Sequence, residues 1–318
     1  MEKRRVKKER ALNVVKQNEI VQKARYKLDL VQQKTIMYLI SKIDSMKDVE
    51  FQDITVDIKD LCDIMGIDKR QGKNMKGLKD ALQKLSDKSM WVELGDVDDT
   101  IVLMRWLDEV AIKRGKGTVT VRFDDKMAPY LLQIQDRFVQ YQLVNVLPMK
   151  SQYSLRLYEI IKSHEAQGKW TVALDDLRKD LFVENIPTYA DYRDFKKRIL
   201  DPAVMEICNF TDLVVAYEPK RKDRKIYSIM FEMCEPDSYT EHSRRRINQS
   251  TVLDGLPAEI VPPKKMPTVT DIREIREKIR HSKEMDELER KYGRAKKPID
   301  YSEPAPTMPG QTTIEELV

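Results

Sequence analysis

The amino-acid sequence predicts an α+β fold built from two tandem winged-helix units, each a helix-turn-helix followed by a β-hairpin, with a C-terminal extension. Three observations carry that expectation. One segment is written twice about a domain's length apart, its flanking elements recur in the same order, and each copy passes from helical to alternating periodicity.

The duplicated segment is TVDIKDLCDIMGI from Thr55, which returns as TVALDDLRKDLFV from Thr171, 116 residues later. Thr55 and Val56 meet Thr171 and Val172. Ile58, Leu61, Met65 and Ile67 meet Leu174, Leu177, Leu181 and Val183, and Asp60 meets Asp176. Upstream, QKTIMYLISKI ending at Ile43 corresponds to SLRLYEIIKS ending at Ser163, both helical in pattern, with Tyr38 facing Tyr158. Downstream, Leu78 and Leu82 correspond to Phe195 and Ile199, four apart in each copy and so on one helical face. Each copy then enters strands. The first has MWVEL and TIVLMRWL; the second has LVVAYEP, a basic turn KRKDRK and IYSIMFEM, and β-branched content with alternation favours hairpins. The stretch from Trp106 to Gly117, ending in KRGKG, has no counterpart in this alignment and reads as an inserted hairpin.

The boundaries expected are a basic arm over 1–11, the first winged-helix domain over 12–135, the second over 136–234, and an extension over 235–318. That extension is rich in proline and charge, with a helix near 271–292 whose thin apolar stripe is Ile272, Ile275, Ile279 and Leu288. The stripe suits docking, weak self-association or solvent exposure.

The longer helix after each turn is the reader. In the first copy Met75, Leu78, Leu82 and Leu85 form the buried stripe, while Lys73, Lys76, Asp80 and Gln83 project the other way. In the second, Tyr192, Phe195, Ile199 and Ala203 face inward, leaving Arg193, Asp194, Lys197 and Arg198 outside. Gly77 either permits close backbone approach to DNA or marks a weak helix. Pro202 either kinks the second reader or restarts it with Asp201 as N-cap.

Net charge is only +5, so the distribution of charge says more than its sum. Seven Lys or Arg oppose three Asp between Gly66 and Lys88, and five basic residues oppose one Asp from Lys220 to Lys225. A basic helix face taken alone is ordinary solvated surface. Two such faces on equivalent helices, one followed by a basic hairpin tip, point to double-stranded DNA as the partner. The candidate contacts are Lys69 and Arg70 in the first turn, and Lys73, Asn74 and Lys76 on the first reader. Tyr189, Arg193, Lys196, Lys197 and Arg198 lie at the second, with Lys220, Arg221, Lys222, Arg224 and Lys225 on its wing.

Other chemistry finds little support. GIDKRQGK from Gly66 fails as a P-loop: five residues separate its glycines, Asn74 stands where Ser or Thr would hold magnesium, and a helix precedes it. His164, His242 and His281 are scattered, and His164 reads as a surface histidine at a helix end. Cys62, Cys208 and Cys234 lack metal-ligand or disulfide spacing and read as buried or idle thiols. Asp98 with Asp99, and Asp124 with Asp125, suit turns or caps. No enzyme activity, metal or cofactor is expected. No apolar run reaches the roughly 20 residues that span a bilayer, and MEKRRVKKER lacks the apolar stretch of a secretory signal, so the cytoplasm is expected.

Several ordered segments resemble one family. NVVKQNEIVQKARYKLDLVQQKTIMYLISKI, YSLRLYEIIKS, LDDLRKDL, and YADYRDFKKRILDPAVMEI leading into DLVVAYEPKRKDRKIYSIMFEM are similar to iteron-binding plasmid replication initiators, over about residues 12 to 234. The resemblance implies two winged-helix domains gripping repeated origin sites, opening of the nearby duplex and recruitment of the host initiator and helicase. It also implies monomers on the repeats and dimers, formed mainly through the first domain, repressing the initiator's own promoter. Two rivals are a winged-helix transcription regulator and an assembly or scaffold protein using winged helices for protein contacts.

Overall fold

The computed structural model describes residues 12–25, 27–65, 73–94, 100–113, 116–236 and 266–292. The first repeat contains β1 (Asn13–Gln17), α1 (Asn18–Gln22), α2 (Leu30–Ile40), β2 (Ile54–Asp57), α3 (Ile58–Met65) and α4 (Lys73–Ser86). It continues through β3 (Ser89–Leu94), β4 (Thr100–Arg105), β5 (Leu107–Lys113), β6 (Thr118–Phe123), the short α5 (Ala128–Leu131) and β7 (Phe138–Gln142). The second contains α6 (Gln152–Ser163), β8 (Lys169–Ala173), α7 (Leu174–Asp180), α8 (Tyr192–Phe195), a π turn (Lys196–Leu200), α9 (Asp201–Phe210), β9 (Val214–Lys222) and β10 (Lys225–Cys234). A last helix, α10, covers Val269–Tyr292.

The two repeats build the same sheet. In the second unit β10 is central, antiparallel to β8 on one side and β9 on the other; in the first, β6 is central between β2 and β5. This corrects the sequence alignment of the hairpins. The wing of the first unit is β5–β6, closed by the KRGKG segment. The insertion is β3–β4, which forms a separate two-stranded sheet between the reader and the wing. Alternation alone could not tell the two hairpins apart, because both are regular; the partner strand β2 decides which is the wing. The inserted hairpin turns Met90, Val92 and Met104 inward and leaves Trp91, Ile101 and Leu103 exposed on its other face.

Local sequence explains the helix ends. Asp29 and Gln32 form a reciprocal capping box at 2.9 Å in each direction, which starts α2. Its end falls at Ile40, three residues short of expectation, where Ser41 Oγ donates to the Tyr38 carbonyl at 2.7 Å. Helix α7 closes in a Schellman turn: Val183 N–H donates to Arg178 O and Phe182 N–H to Lys179 O, with Phe182 at φ +58°. Asp191 then caps α8 through Arg193 N–H at 2.6 Å. Asp124 caps a single 3₁₀ turn in the same way, accepting from Lys126 N–H at 2.9 Å.

Helix α6 holds the two units together. Every residue from Ser154 to Ile161 is buried, including Arg156 and Glu159, and the helix packs against α1, α2, β7 and α9. Its charged groups are answered from the first unit. Lys16 on β1 pairs with Glu159, both all but inaccessible, and Tyr141 on β7 donates to the same carboxylate. Arg156 reaches the Ala24 carbonyl at 3.4 Å. Around this centre, Gln22 donates to Ser163 Oγ at 2.9 Å, Arg25 pairs with Glu184 at 2.9 Å, and Lys34 donates to the Leu147 carbonyl at 2.6 Å. Burial lowers the pKa of the Lys34 ammonium to about 8, with Glu206 opposing the shift.

The chain divides after Arg276, and along the remainder of α10 Arg280 pairs with Glu277 and Glu284.

Two outcomes follow from the buried charges. Glu159→Ala strands the Lys16 ammonium and should cost about 3–5 kcal/mol in urea unfolding. Lys34 releases its proton near pH 8 when folded and near 10.5 when unfolded, so the unfolded chain holds the extra proton between those values and stability should rise there with pH. Lys34→Met should flatten that rise in melting temperature measured from pH 8 to 10.5.

Candidate nucleic-acid interface

The first reader, α4, buries Leu78, Leu82 and Leu85 and exposes Lys76, Lys79, Asp80, Gln83 and Lys84. The 3.6-residue period alone produces this split, since the leucines share one face. Lys73 and Asn74 lie in its first turn; Lys69 and Arg70 fall outside the described residues. The first wing carries exposed Lys113 and Lys116 at its tip, neither of which sequence reasoning placed in the site. The signal is present in KRGKG, a basic turn between two alternating strands like KRKDRK, but alignment of the two copies by sequence alone makes it an insertion. Gly117 turns the chain there at φ +64°, and its carbonyl accepts from Ile58 N–H at 2.9 Å, tying the wing to the start of α3.

The second reader runs from Tyr192 to Phe210 without interruption, so Pro202 does not restart it with Asp201 as N-cap. A proline lacks the N–H that an α-helix needs at that point. The π turn before it absorbs the defect, with Asp201 N–H bonded to Lys196 O five residues back. Phe195, Ile199 and Ala203 are fully buried and Tyr192 is half-buried, while Arg193, Lys197 and Arg198 are exposed. Arg178 on α7 braces this helix, donating to the Ala190 carbonyl at 2.7 Å and lying 5.6 Å from the Phe195 ring centre.

Asp201, free of any capping duty, links reader to wing. It accepts from Lys196 Nζ at 2.7 Å and from the Tyr217 hydroxyl of β9 at 2.5 Å. Burial, followed by the bond to Asp201, pushes the Tyr217 phenol well up. Lys196 is thus turned toward Asp201. Arg198 makes a 3.4 Å surface pair with Asp194, an interaction weak enough to exchange for another anion. Tyr189 is half-buried in the 3₁₀ turn Pro187–Ala190 ahead of the reader.

The second wing is longer than the sequence suggested. β9 continues through Pro219 to Lys222, which an edge strand tolerates because proline's missing N–H faces away from the ladder. The turn is only Asp223–Arg224, both left-handed at φ +51° and +67°. Lys220, Arg221, Lys222 and Lys225 therefore sit on paired strands, and only Arg224 lies in the turn proper. Arg221, Lys222, Arg224 and Lys225 are exposed, while Lys220 is half-buried and pairs with Glu218 at 2.9 Å. Wing and reader share a field. Burial and Asp201 raise the Tyr192 phenol, and Arg221 opposes them.

His164 is a half-buried C-cap of α6 rather than a plain surface residue. Its ring stacks on Trp170 at 5.0 Å and 10°, and burial lowers its pKa against the Gln167 bond. The three cysteines are buried and in no disulfide among the described residues, and Cys208 Sγ donates to the Val215 carbonyl at 3.3 Å. Among the described residues no group of three or more His, Cys, Asp or Glu could hold a metal, and no helix is long and apolar enough to cross a membrane.

Comparison with known proteins agrees with this architecture. The model described as Initiator Replication protein, WH1, matches residues 13–162, and that described as Initiator Rep protein, WH2, matches residues 173–233. An uncharacterized 27.6 kDa protein of Escherichia coli is 22% identical over 175 residues, 55% of this chain and 72% of its own length. The PI protein of Escherichia coli is 25% identical over 142 residues, 40% of this chain and 47% of its own. A replication initiation protein of Escherichia coli is 25% identical over 147 residues, 43% and 44%. The chain thus spans under half the length of the last two. The crystal structure of Pi initiator protein in complex with iteron DNA superposes with a TM-score of 0.57 at 21% identity, covering 72% of this chain and 99% of that one, a likeness of fold. With both matched regions falling on the two winged-helix units in order, the chain belongs to the initiator replication protein family.

Proposed function

We propose that this chain is a plasmid replication initiator that grips repeated double-stranded sites, iterons, in its origin. It acts by binding and not by catalysis, without cofactor, in the cytoplasm. In this reading each of the two winged-helix repeats is a gripping unit, with α6 of the second carrying contacts back to the first. Bound chains promote opening of the adjacent duplex and recruit host replication proteins, the initiator and helicase among them. A homodimer through the first unit represses the chain's own promoter. The bare Trp91, Ile101 and Leu103 face on the inserted hairpin supports that dimer.

The observation that carries the reading is the duplicated reader with its basic side chains outside: Lys76 on the first, Arg193, Lys197 and Arg198 on the second, with a basic wing beside each. Such side chains read base edges or neutralise phosphate. The two readers enter successive major-groove faces about one helical turn apart, so one chain covers roughly 20 base pairs. Footprinting on the DNA flanking the gene tests it directly. A protected array of direct repeats supports initiation, and uniform weak protection counts against sequence-specific gripping.

Lys197→Ala with Arg198→Ala should weaken specific binding by about 1–3 kcal/mol for each bidentate hydrogen-bonded pair with a base that the substitutions remove, measured by gel shift with circular dichroism to show an intact fold. Unchanged affinity and sequence preference would remove that helix as the reader. Arg224→Gly separates turn geometry from charge: glycine suits the left-handed position, so thermal stability should hold or rise, while the slope of log affinity against log salt should shrink by about one.

A further inference from the structure

β10 breaks the rule its counterpart obeys. In the first unit β6 alternates, with Val119, Val121 and Phe123 buried and Thr118, Thr120 and Arg122 partly exposed. β10 is buried at every position from Ser228 to Cys234. Successive strand residues point to opposite faces, so Ile229, Phe231 and Met233 fill the core while Ser228, Met230 and Glu232 face outward, yet these are just as inaccessible.

The start of α10 meets that outer face. Ile272 is fully buried within the hydrophobic core, and Met266, Val269 and Ile275 pack against the core beside it. Arg273 grips the Glu232 carboxylate with two nitrogens, Nη2 at 2.8 Å and Nε at 3.4 Å. Arg276 lies 3.7 Å from the same carboxylate and donates to the Met233 carbonyl at 2.7 Å and to that of Gly168. Gly168 suits this contact twice over: its φ is +63°, and a Cβ there would stand 2.5 Å from Arg276 Nη2. Thr268 and Asp271 cap the helix reciprocally at 2.7 and 3.2 Å. The Glu232 side chain is 4% exposed, and a carboxylate so buried is costly unless paired, so β10 and α10 are chemically matched. α10 lies wholly beyond the matched WH2 region, which ends at residue 233.

We propose that the first two turns of α10 are a latch on the second wing sheet, with Arg273 and Arg276 as positioning residues that set the attitude of the β9–β10 wing toward DNA. The inference rests on the DNA-binding reading above for its purpose, though not for the latch itself. β10 runs from Glu232 to Lys225 at the wing tip, a lever of about 23 Å at the usual strand rise. Holding its base therefore holds Lys222 and Arg224 at its end.

The test uses the full chain in two variants: Arg273→Ala with Arg276→Ala, and Ile272→Ser, which breaks the apolar anchor but keeps both guanidinium groups. Amide hydrogen exchange without DNA should speed up at least ten-fold in β9–β10 for both, with β2–β6 of the first unit unchanged as internal reference. Affinity for duplex carrying the flanking repeats should fall about ten-fold in both, with the shallower salt slope of the wing variant Lys222→Ala with Arg224→Gly. Combining latch and wing variants should add less than about two-fold. Unchanged exchange in β9–β10 overturns the latch. Additive losses, or an affinity loss with the arginine variant alone, overturn positioning in favour of direct phosphate contact. If the wild-type chain binds no DNA, the functional reading fails while the exchange measurement still decides the latch.

Discussion

A helix buried around its whole circumference governs this architecture. α6 begins the second repeat by sequence, yet Arg156 and Glu159 on it are satisfied by the Ala24 carbonyl, Lys16 and Tyr141 of the first. Removing such charges from water is tolerable only with partners in place, so the second unit's opening helix cannot leave the first without exposing or stranding ions. The matched WH1 region extends to residue 162, through this same helix. Each unit then has a firm base from which a reader and a wing project.

Much of this was legible in the sequence because it rests on periodicity. The offset of 116 residues placed α3 over α7, and the leucines of α4 and the aromatic stripe of α8 fell on buried faces as a 3.6-residue repeat requires. Sequence reading failed where pairing partners decide. Nothing within β3–β4 or β5–β6 says which hairpin joins β2, so insertion and wing were exchanged, and Lys113 and Lys116 dropped out of the candidate site with them. Lys196 was grouped with its basic neighbours because its pairing with Asp201 depends on a widened turn that composition does not announce. Ile272 looked like one member of a sparse stripe, whereas it is buried outright.

The two units have diverged in how they protect the sheet that carries the wing. The first keeps one face of β6 half open and adds a separate two-stranded hairpin beside its reader; the second covers both faces of β10. Duplication supplied the same topology twice, and later elements altered what each copy leaves bare. The charge pattern follows suit: Arg122 occupies the open face of β6, where the covered face of β10 carries Glu232.

The π turn at Lys196–Leu200 also changes how the second reader must be counted. An α-helix advances about 100° per residue, so one extra residue in a single turn rotates everything after it by roughly that angle relative to an uninterrupted helix. Arg193 precedes the offset and Glu206 follows it. Base or phosphate contacts transferred from a straight recognition helix by steps of three and four would thus be correct up to Phe195 and assigned to the wrong side of the helix beyond Leu200.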